Sequence, residues 1–364
     1  MNEFIPIYKP WLTQVEKKHL LSAIDSEWVS SKGEYLTLFQ EKLSEFIGCK
    51  HVSLLNTGTA ACHLALLCSG IQPNDEVIVP ACTFIAAVNA VKYCGATPVL
   101  ADITSDDWNI SLEEIKKKTT SKTKAVFLVH FLGNPCSTEI YEWCKSKNIL
   151  CIEDACESMG ASLYGKKTGN AGLCAAFSFF GNKNITTGEG GAITTNDEGV
   201  FKRVEYLKGQ AQDRTYVHSD IGYNYRMTNV QAALGYGQML RSSEIISEKD
   251  RVFSYYKHLL KDYISSKKII IQKETEGSTP ANWMFAIKTN RKLEIEKTLN
   301  SNQIETRPIF YPVNQMLPYK SDVKYHNSID LNSNGIMLPS YPELTEKQIS
   351  KICDLVKKVI DNEP

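Results

Sequence analysis

Lys183 is the only charged residue between Lys167 and Glu189. It follows the apolar run Phe177-Ser178-Phe179-Phe180, which reads as a buried strand, and a turn at Gly181. Thr186, Thr187, Gly188, Gly190 and Gly191 close the stretch, the glycines permitting φ > 0 and close backbone approach. Most lysines are solvated surface residues. One held between a buried strand and a glycine-rich turn is desolvated, which favours a nucleophilic amine. Such an amine makes Schiff bases with carbonyl compounds.

Two other stretches carry groups that could work with that amine. Asn56-Thr57-Gly58-Thr59-Ala60-Ala61 follows the apolar run Val52 to Leu55 and enters a helical stripe of Ala61, Leu64, Ala65 and Cys68. Strand, Gly-Thr turn, helix is an arrangement whose free N–H groups and positive dipole end suit a phosphate. An ordinary helix capped by Thr57 or Thr59 uses the same residues. Asp154 closes the run Ile149-Leu150-Cys151-Ile152-Glu153-Asp154. A carboxylate there caps a helix or pairs with a cationic ring nitrogen. Phe84 stacks on a ring face or packs in the core. Amine, phosphate site and ring-nitrogen partner together match pyridoxal phosphate, whose protonated pyridine is an electron sink.

The elements that must position these groups alternate. Helical patterns cover residues 13–26 and 35–47, and strands are read at Glu76–Val79, Thr97–Ala101, Lys124–His130 and Ile149–Glu153. Helical segments at 83–93, 111–118 and 137–147 lie between them. This βαβ alternation predicts a mostly parallel α/β sheet flanked by helices, with ligands beyond the C-terminal strand ends. Phe84, His130 and Asp154 fall at or just after such ends. Ala192–Thr195 reads as an antiparallel return strand, and Ile221 to Thr228 as a polar-aromatic loop before the helix Asn229–Leu240. Beyond about residue 243 the pattern changes to a long charged helix, short strands and a last helix over 345–361. This gives a large unit over 1–242 and a smaller α+β unit over 243–364.

Composition narrows the class. Apolar content is 43%, and 41 basic residues balance 41 acidic ones, so nothing favours nucleic acid. The 11 cysteines form no C-x-x-C, and no metal site is read from them. No secretion signal or membrane span is read, which leaves a reducing cytoplasm as the expected compartment. Gly188-Glu189-Gly190-Gly191 does not complete a dinucleotide fingerprint, and no Walker A, H-E-x-x-H or G-x-S-x-G occurs.

Taken together, Gly58-Thr59, Pro80 with Thr83-Phe84, Glu153-Asp154-Ala155, Ser178 with Lys183, and Gly222-Tyr223-Asn224-Tyr225-Arg226-Met227 resemble the DegT/DnrJ/EryC1/StrS sugar aminotransferases. The resemblance runs from end to end and implies a fold type I aminotransferase with a seven-stranded sheet. It implies that Lys183 carries pyridoxal 5'-phosphate and moves the proton, and that Asp154 pairs with the pyridine nitrogen. It further implies that Gly58, Thr59 and Ser178 hold the phosphate, that Phe84 stacks on the ring and that Glu157 lies near the ring oxygen. Asn224 serves the phosphate of a neighbouring subunit, so a homodimer is expected. Lys32, Arg307, Tyr311 and Asn314 are the implied substrate-binding residues. Relatives often carry His where Asn314 follows Tyr311-Pro312-Val313, a departure that bears on the sugar nucleotide and not on the chemistry. Other relatives replace the lysine by His and dehydrate; Lys183 favours transamination.

Within the family, Ser178 to Gly191, Trp28 to Gly33, Ile221 to Thr228 and Glu305-Thr306-Arg307-Pro308 look most like enzymes that aminate GDP-linked 4-keto-6-deoxy sugars at C4. L-glutamate is the implied donor and O-antigen synthesis the implied setting. The alternative is a dTDP-linked substrate and a viosamine-type product. A catalytically silent regulatory paralogue would lack the cofactor residues or add DNA-binding features, and the sequence shows neither.

Overall fold

A computed structural model describes residues 4–362. Its centre is a seven-stranded sheet. Across the sheet the strands run His51–Leu55, Gly191–Thr195, Cys174–Ser178, Leu150–Asp154, Thr123–Val129, Glu76–Pro80 and Thr97–Ala101. The last five pair in parallel, whereas Gly191–Thr195 is antiparallel to both neighbours. The strands are nearly continuous apolar runs because both faces are covered. Phe127 and Ile152 face one helical layer, and Val126 and Leu128 the other.

Local chemistry sets the ends of the helices. Thr13 and Glu16 form a capping box on Gln14–Asp25, and Thr228 and Gln231 do so on Asn229–Leu240. The carboxylate of Glu16 is buried, with Arg241 Nη1 at 2.9 Å and Gln238 Nε2 at 2.7 Å, which locks these two helices together.

A second core lies among residues 252–360, around the four strands Ile270–Ile271, Phe285–Lys288, Gly335–Leu338 and Arg307–Pro308. Ile5 is buried in this core and bridges in parallel to Ile304. Ile5, within the residues grouped by sequence with the large unit, therefore packs on the smaller core, while Ala23, Phe39 and Leu43 of the two helices that follow pack with the large one. The position between 242 and 243 falls inside the first turn of the helix Ser242–Leu259, which follows Asn229–Leu240 after the single residue Arg241. Asp102, just past the edge strand, accepts from the backbone N–H of Asn327 and Ser328. It thereby caps the helix His326–Asn334 from across the molecule.

Several boundaries differ from the sequence expectations. The strand read at Phe177–Phe180 is Cys174–Ser178. Ser178 pairs with Gly191, the first residue of the return strand, and the chain then turns away to present the lysine. The helix after residue 243 breaks at Leu260 and resumes as Lys261–Ser265. Arg307–Pro308 forms a short edge strand of the smaller sheet.

Candidate active site

The C-terminal ends of the strands converge on a cavity of about 440 Å³ between the two cores. Gly58, Thr59, Phe84, Asp154, Glu157, Ser178, Lys183 and Arg307 line it. These residues come from five separate stretches of the chain, 58–59, 84, 154–157, 178–183 and 307, and the fold brings them together.

At one end lies the N-terminus of the helix Gly58–Cys68. Thr57 is its cap, its hydroxyl accepting from Ala60 N at 3.1 Å. The cap leaves the first N–H groups of the helix without intrahelical partners, beside Ser178. Gly58 is required by closeness: a Cβ there would lie 2.6 Å from the Ser178 Cβ. Gly191 is required for the same reason, since a Cβ would run into the Thr57 carbonyl. Of the three glycines expected to supply positive φ, only Gly188 does, at 80°. Gly190 and Gly191 serve close approach instead.

Asp154 is buried at the end of its strand. Its Oδ1 accepts from Cys156 N at 3.1 Å, and no ion pair reaches it among the described residues. Next to it, Glu153 points the other way. Burial alone would raise its carboxyl, but His130 Nε2 at 2.9 Å and the N–H groups of Gly169, Ala171 and Gly172 hold it below the ordinary value. Cys136 N donates to His130 Nδ1, so Nε2 carries the ring proton and donates to Glu153. The adjacent acids thus have separate roles: Glu153 fixes the loop, and Asp154 faces the cavity.

Lys183 lies beyond Ser178 with its side chain 12% exposed. Its Nζ is 4.0 Å from Glu157 Oε1 and 3.7 Å from the centroid of the Trp283 ring. Both neighbours attract a cation. Burial pushes the Glu157 carboxyl up to about 7, against the pull of Lys183 and a hydrogen bond from Leu132 N. The backbone carbonyl of Lys183 accepts from Tyr8 Oη at 2.8 Å, so the N-terminal segment also fixes the lysine loop. Phe84 is 55% exposed, which excludes plain core packing; its ring lies 5.9 Å from that of Phe310.

The other expected residues lie outside this cavity. Asn224 is exposed, and its carbonyl accepts from Asn56 Nδ2. Lys32 and Tyr311 are exposed as well. Asn314 is buried, with Nδ2 donating to the Val323 carbonyl at 2.8 Å and Oδ1 without a partner among the described residues. In this chain it holds the segment after residue 320.

Trp283 is the main residue that sequence reading missed. It lines the cavity, under the lysine. Its Nε1 donates to the Asn182 carbonyl at 2.7 Å, and its own carbonyl accepts from Lys249 Nζ at 2.7 Å. Lys249 is fully buried, and desolvation drives its ammonium well below the ordinary value.

The cavity fits pyridoxal phosphate on its own terms. A glycine-tight helix N-terminus offers N–H groups to a phosphate. A buried carboxylate without an ion-pair partner stands ready for a ring cation, and a lysine reaches the space between. Two buried lining atoms, Thr83 Oγ1 and Asn182 Oδ1, have no partner among the described residues.

Comparison with known proteins agrees. The DegT/DnrJ/EryC1/StrS aminotransferase family profile matches residues 11–357. The GDP-perosamine synthase of Escherichia coli O157:H7 is 42% identical over 363 residues, 98% of each chain. That of Vibrio cholerae is 37% identical, covering 97% of this chain and 98% of its own. Among solved structures, DesV of S. venezuelae superposes with a TM-score of 0.92 at 26% identity, covering 98% of this chain and all of that one.

Proposed function

The chain belongs to the DegT/DnrJ/EryC1/StrS family of pyridoxal phosphate-dependent sugar aminotransferases, and on that premise we propose that it aminates C4 of a GDP-linked 4-keto-6-deoxy sugar with L-glutamate as donor. The product is a 4-amino-4,6-dideoxy sugar nucleotide made in the cytoplasm for O-antigen or related glycan assembly. One observation carries the chemistry: Lys183, Asp154 and the Gly58 helix N-terminus open into a single cavity. Identity to two enzymes named GDP-perosamine synthase supports the choice of sugar nucleotide.

When bound, the cofactor supplies an aldehyde that captures amines and a ring that draws off the electrons of a broken C–H bond. The chain supplies the rest. Backbone N–H groups at Gly58 and Thr59, with the Ser178 hydroxyl, hold the phosphate. Asp154 keeps the ring nitrogen protonated, a charge-assisted hydrogen bond in a site sheltered from water. Lys183 Nζ takes a proton from the donor's α-carbon and later delivers one to the sugar's C4. Glu157, buried and 4.0 Å from that nitrogen, holds a second proton within reach of it. Phe84 covers one side of the ring. Arg307, at the rim of the cavity, meets the diphosphate. Lys32, Tyr311 and Asn314 complete the sugar-nucleotide site. Asn224, exposed and outside its own cavity, reaches the phosphate of a second copy in a homodimer.

The test is product mass after incubation with pyridoxal phosphate, glutamate and, separately, the GDP- and dTDP-linked 4-keto-6-deoxy sugars. Amination of the GDP sugar upholds the reading. Amination of the dTDP sugar alone replaces it with the viosamine-type enzyme and makes Asn314 a specificity residue.

A further inference from the structure

Two side chains in the cavity have no part in the scheme above. Cys62 lies on the helix Gly58–Cys68, and Cys156 lies two residues after Asp154. Both line the cavity, and both face the same carboxylate. The two Sγ atoms and a carboxylate oxygen of Asp154 all lie within 4.8 Å of one another. Among the described residues this is the one place where three histidine, cysteine or acidic side chains converge in this way.

We propose that Cys62, Asp154 and Cys156 form a binding site for a thiophilic divalent cation of the zinc class, open when the cofactor is absent.

The donor set suits such an ion. Zinc takes thiolate at about 2.3 Å and carboxylate at about 2.1 Å in a tetrahedron, which places the donors roughly 3.5–3.8 Å apart. Starting from separations of 4.8 Å or less, side-chain rotation of about an ångström closes the site. Three protein ligands leave the fourth position to water or a small molecule in the cavity. Part of the framework is already fixed: Cys156 N donates to Asp154 Oδ1, and Cys156 Sγ is held near the Ala176 carbonyl at 3.7 Å. Cys62 is 1% exposed and Asp154 7%, so the ion would sit out of bulk water. Two thiolates and a carboxylate carry one more negative charge than the ion neutralises. Lys183 acts electrostatically on both thiols and offsets that excess. Binding must release the two thiol protons. Cys62 and Cys156 are far apart in sequence, so no short motif announces the site.

Asp154 is also the residue assigned to the ring nitrogen, so metal and cofactor exclude each other. This corollary rests on the function proposed above. The cation site itself does not.

The experiment uses the full-length chain, freed of pyridoxal phosphate and kept reduced, titrated with cobalt(II) as a spectroscopic stand-in for zinc. About one cobalt per chain is expected, with thiolate-to-metal charge-transfer absorption and the strong ligand-field bands of a tetrahedral site. Cys62→Ser and Cys156→Ser should each weaken binding by at least about tenfold. Circular dichroism confirms that the variants fold, and Cys62→Ala stands in if Cys62→Ser does not. Absence of the bands in the parent chain overturns the proposal, as does their persistence in both variants. Pyridoxal phosphate should expel the cobalt, read with a chelating dye. Cobalt bound through both cysteines yet retained when the cofactor enters upholds the cation site and instead overturns the placement of Asp154 at the ring nitrogen.

Discussion

Lys183 Nζ sits 3.7 Å from the centre of the Trp283 ring, so the reactive nitrogen rests on an aromatic face. That face holds the amine while it is not bonded to the cofactor. A cation–π contact of this kind is worth about 0.5–2 kcal/mol, or roughly 2- to 30-fold in rate. Trp283→Phe keeps a ring but loses the Nε1–H bond to Asn182, and should lower kcat about threefold. Trp283→Ala should lower it about thirtyfold. The check is kcat at saturating substrates, below the unfolding temperature of each variant. Equal, parent-like kcat in both would deny the ring any role in holding the lysine.

Glu157 should make the cofactor-free chain less stable as pH rises. Its carboxyl moves from an ordinary 4.5 to about 7 because it is buried. Between these values the folded chain keeps a proton that the unfolded chain has released. The penalty is absent below about pH 4.5, grows up to about pH 7 and is constant above. Glu157→Gln should remove it, gaining on the order of 3 kcal/mol relative to the parent at about pH 8 and little at about pH 4. Urea unfolding at both pH values measures this. A difference between the two proteins that does not change with pH would place the proton elsewhere.

How far the sequence alone reaches is clearest at particular residues. The sheet is legible because both of its faces are buried, so each strand is a short apolar run ended by a turn. Gly58, Asp154 and Lys183 stand out because each breaks such a run with a residue of a different kind. Trp283 does not stand out: an aromatic residue beside a strand reads as core, and only the fold shows it beneath the lysine. The return of Ile5 to the second core is equally hidden, since it depends on one bridge to Ile304 across most of the chain. The helix His326–Asn334 was missed because its apolar stripe is thin and its cap comes from Asp102, far away in sequence. Glu157 had a visible signal, a lone charge between small residues after a buried strand, but its link to the lysine is a matter of packing.

Gly58→Ala should damage the phosphate site more than the fold. The new methyl group would meet the Ser178 side chain at 2.6 Å, so either the helix N-terminus or Ser178 must move. Overpacking of this kind costs about 1–3 kcal/mol. Affinity for pyridoxal phosphate should fall by at least about tenfold, since both displaced groups belong to the phosphate site. Spectroscopic titration of the cofactor-free protein checks it. Parent-like affinity would mean that the phosphate binds elsewhere.

Asn224 predicts complementation between subunits. Lys183→Ala and Asn224→Ala should each be impaired alone. In a mixed dimer, one of the two sites draws Lys183 from one chain and Asn224 from the other and is intact. Unfolding and refolding an equal mixture should restore about a quarter of parental activity, because about half of the dimers are mixed. No gain over the separate variants would place Asn224 in its own subunit's chemistry or outside the site.

The most direct measurement is borohydride reduction of the protein loaded with pyridoxal phosphate, followed by peptide mass analysis. Reduction locks the cofactor onto whichever amine carries it. The predicted result is a single modified peptide with the pyridoxyl group on Lys183, missing from Lys183→Ala. Modification at another lysine, or none in a protein that retains the cofactor, would contradict the assignment on which the whole site depends.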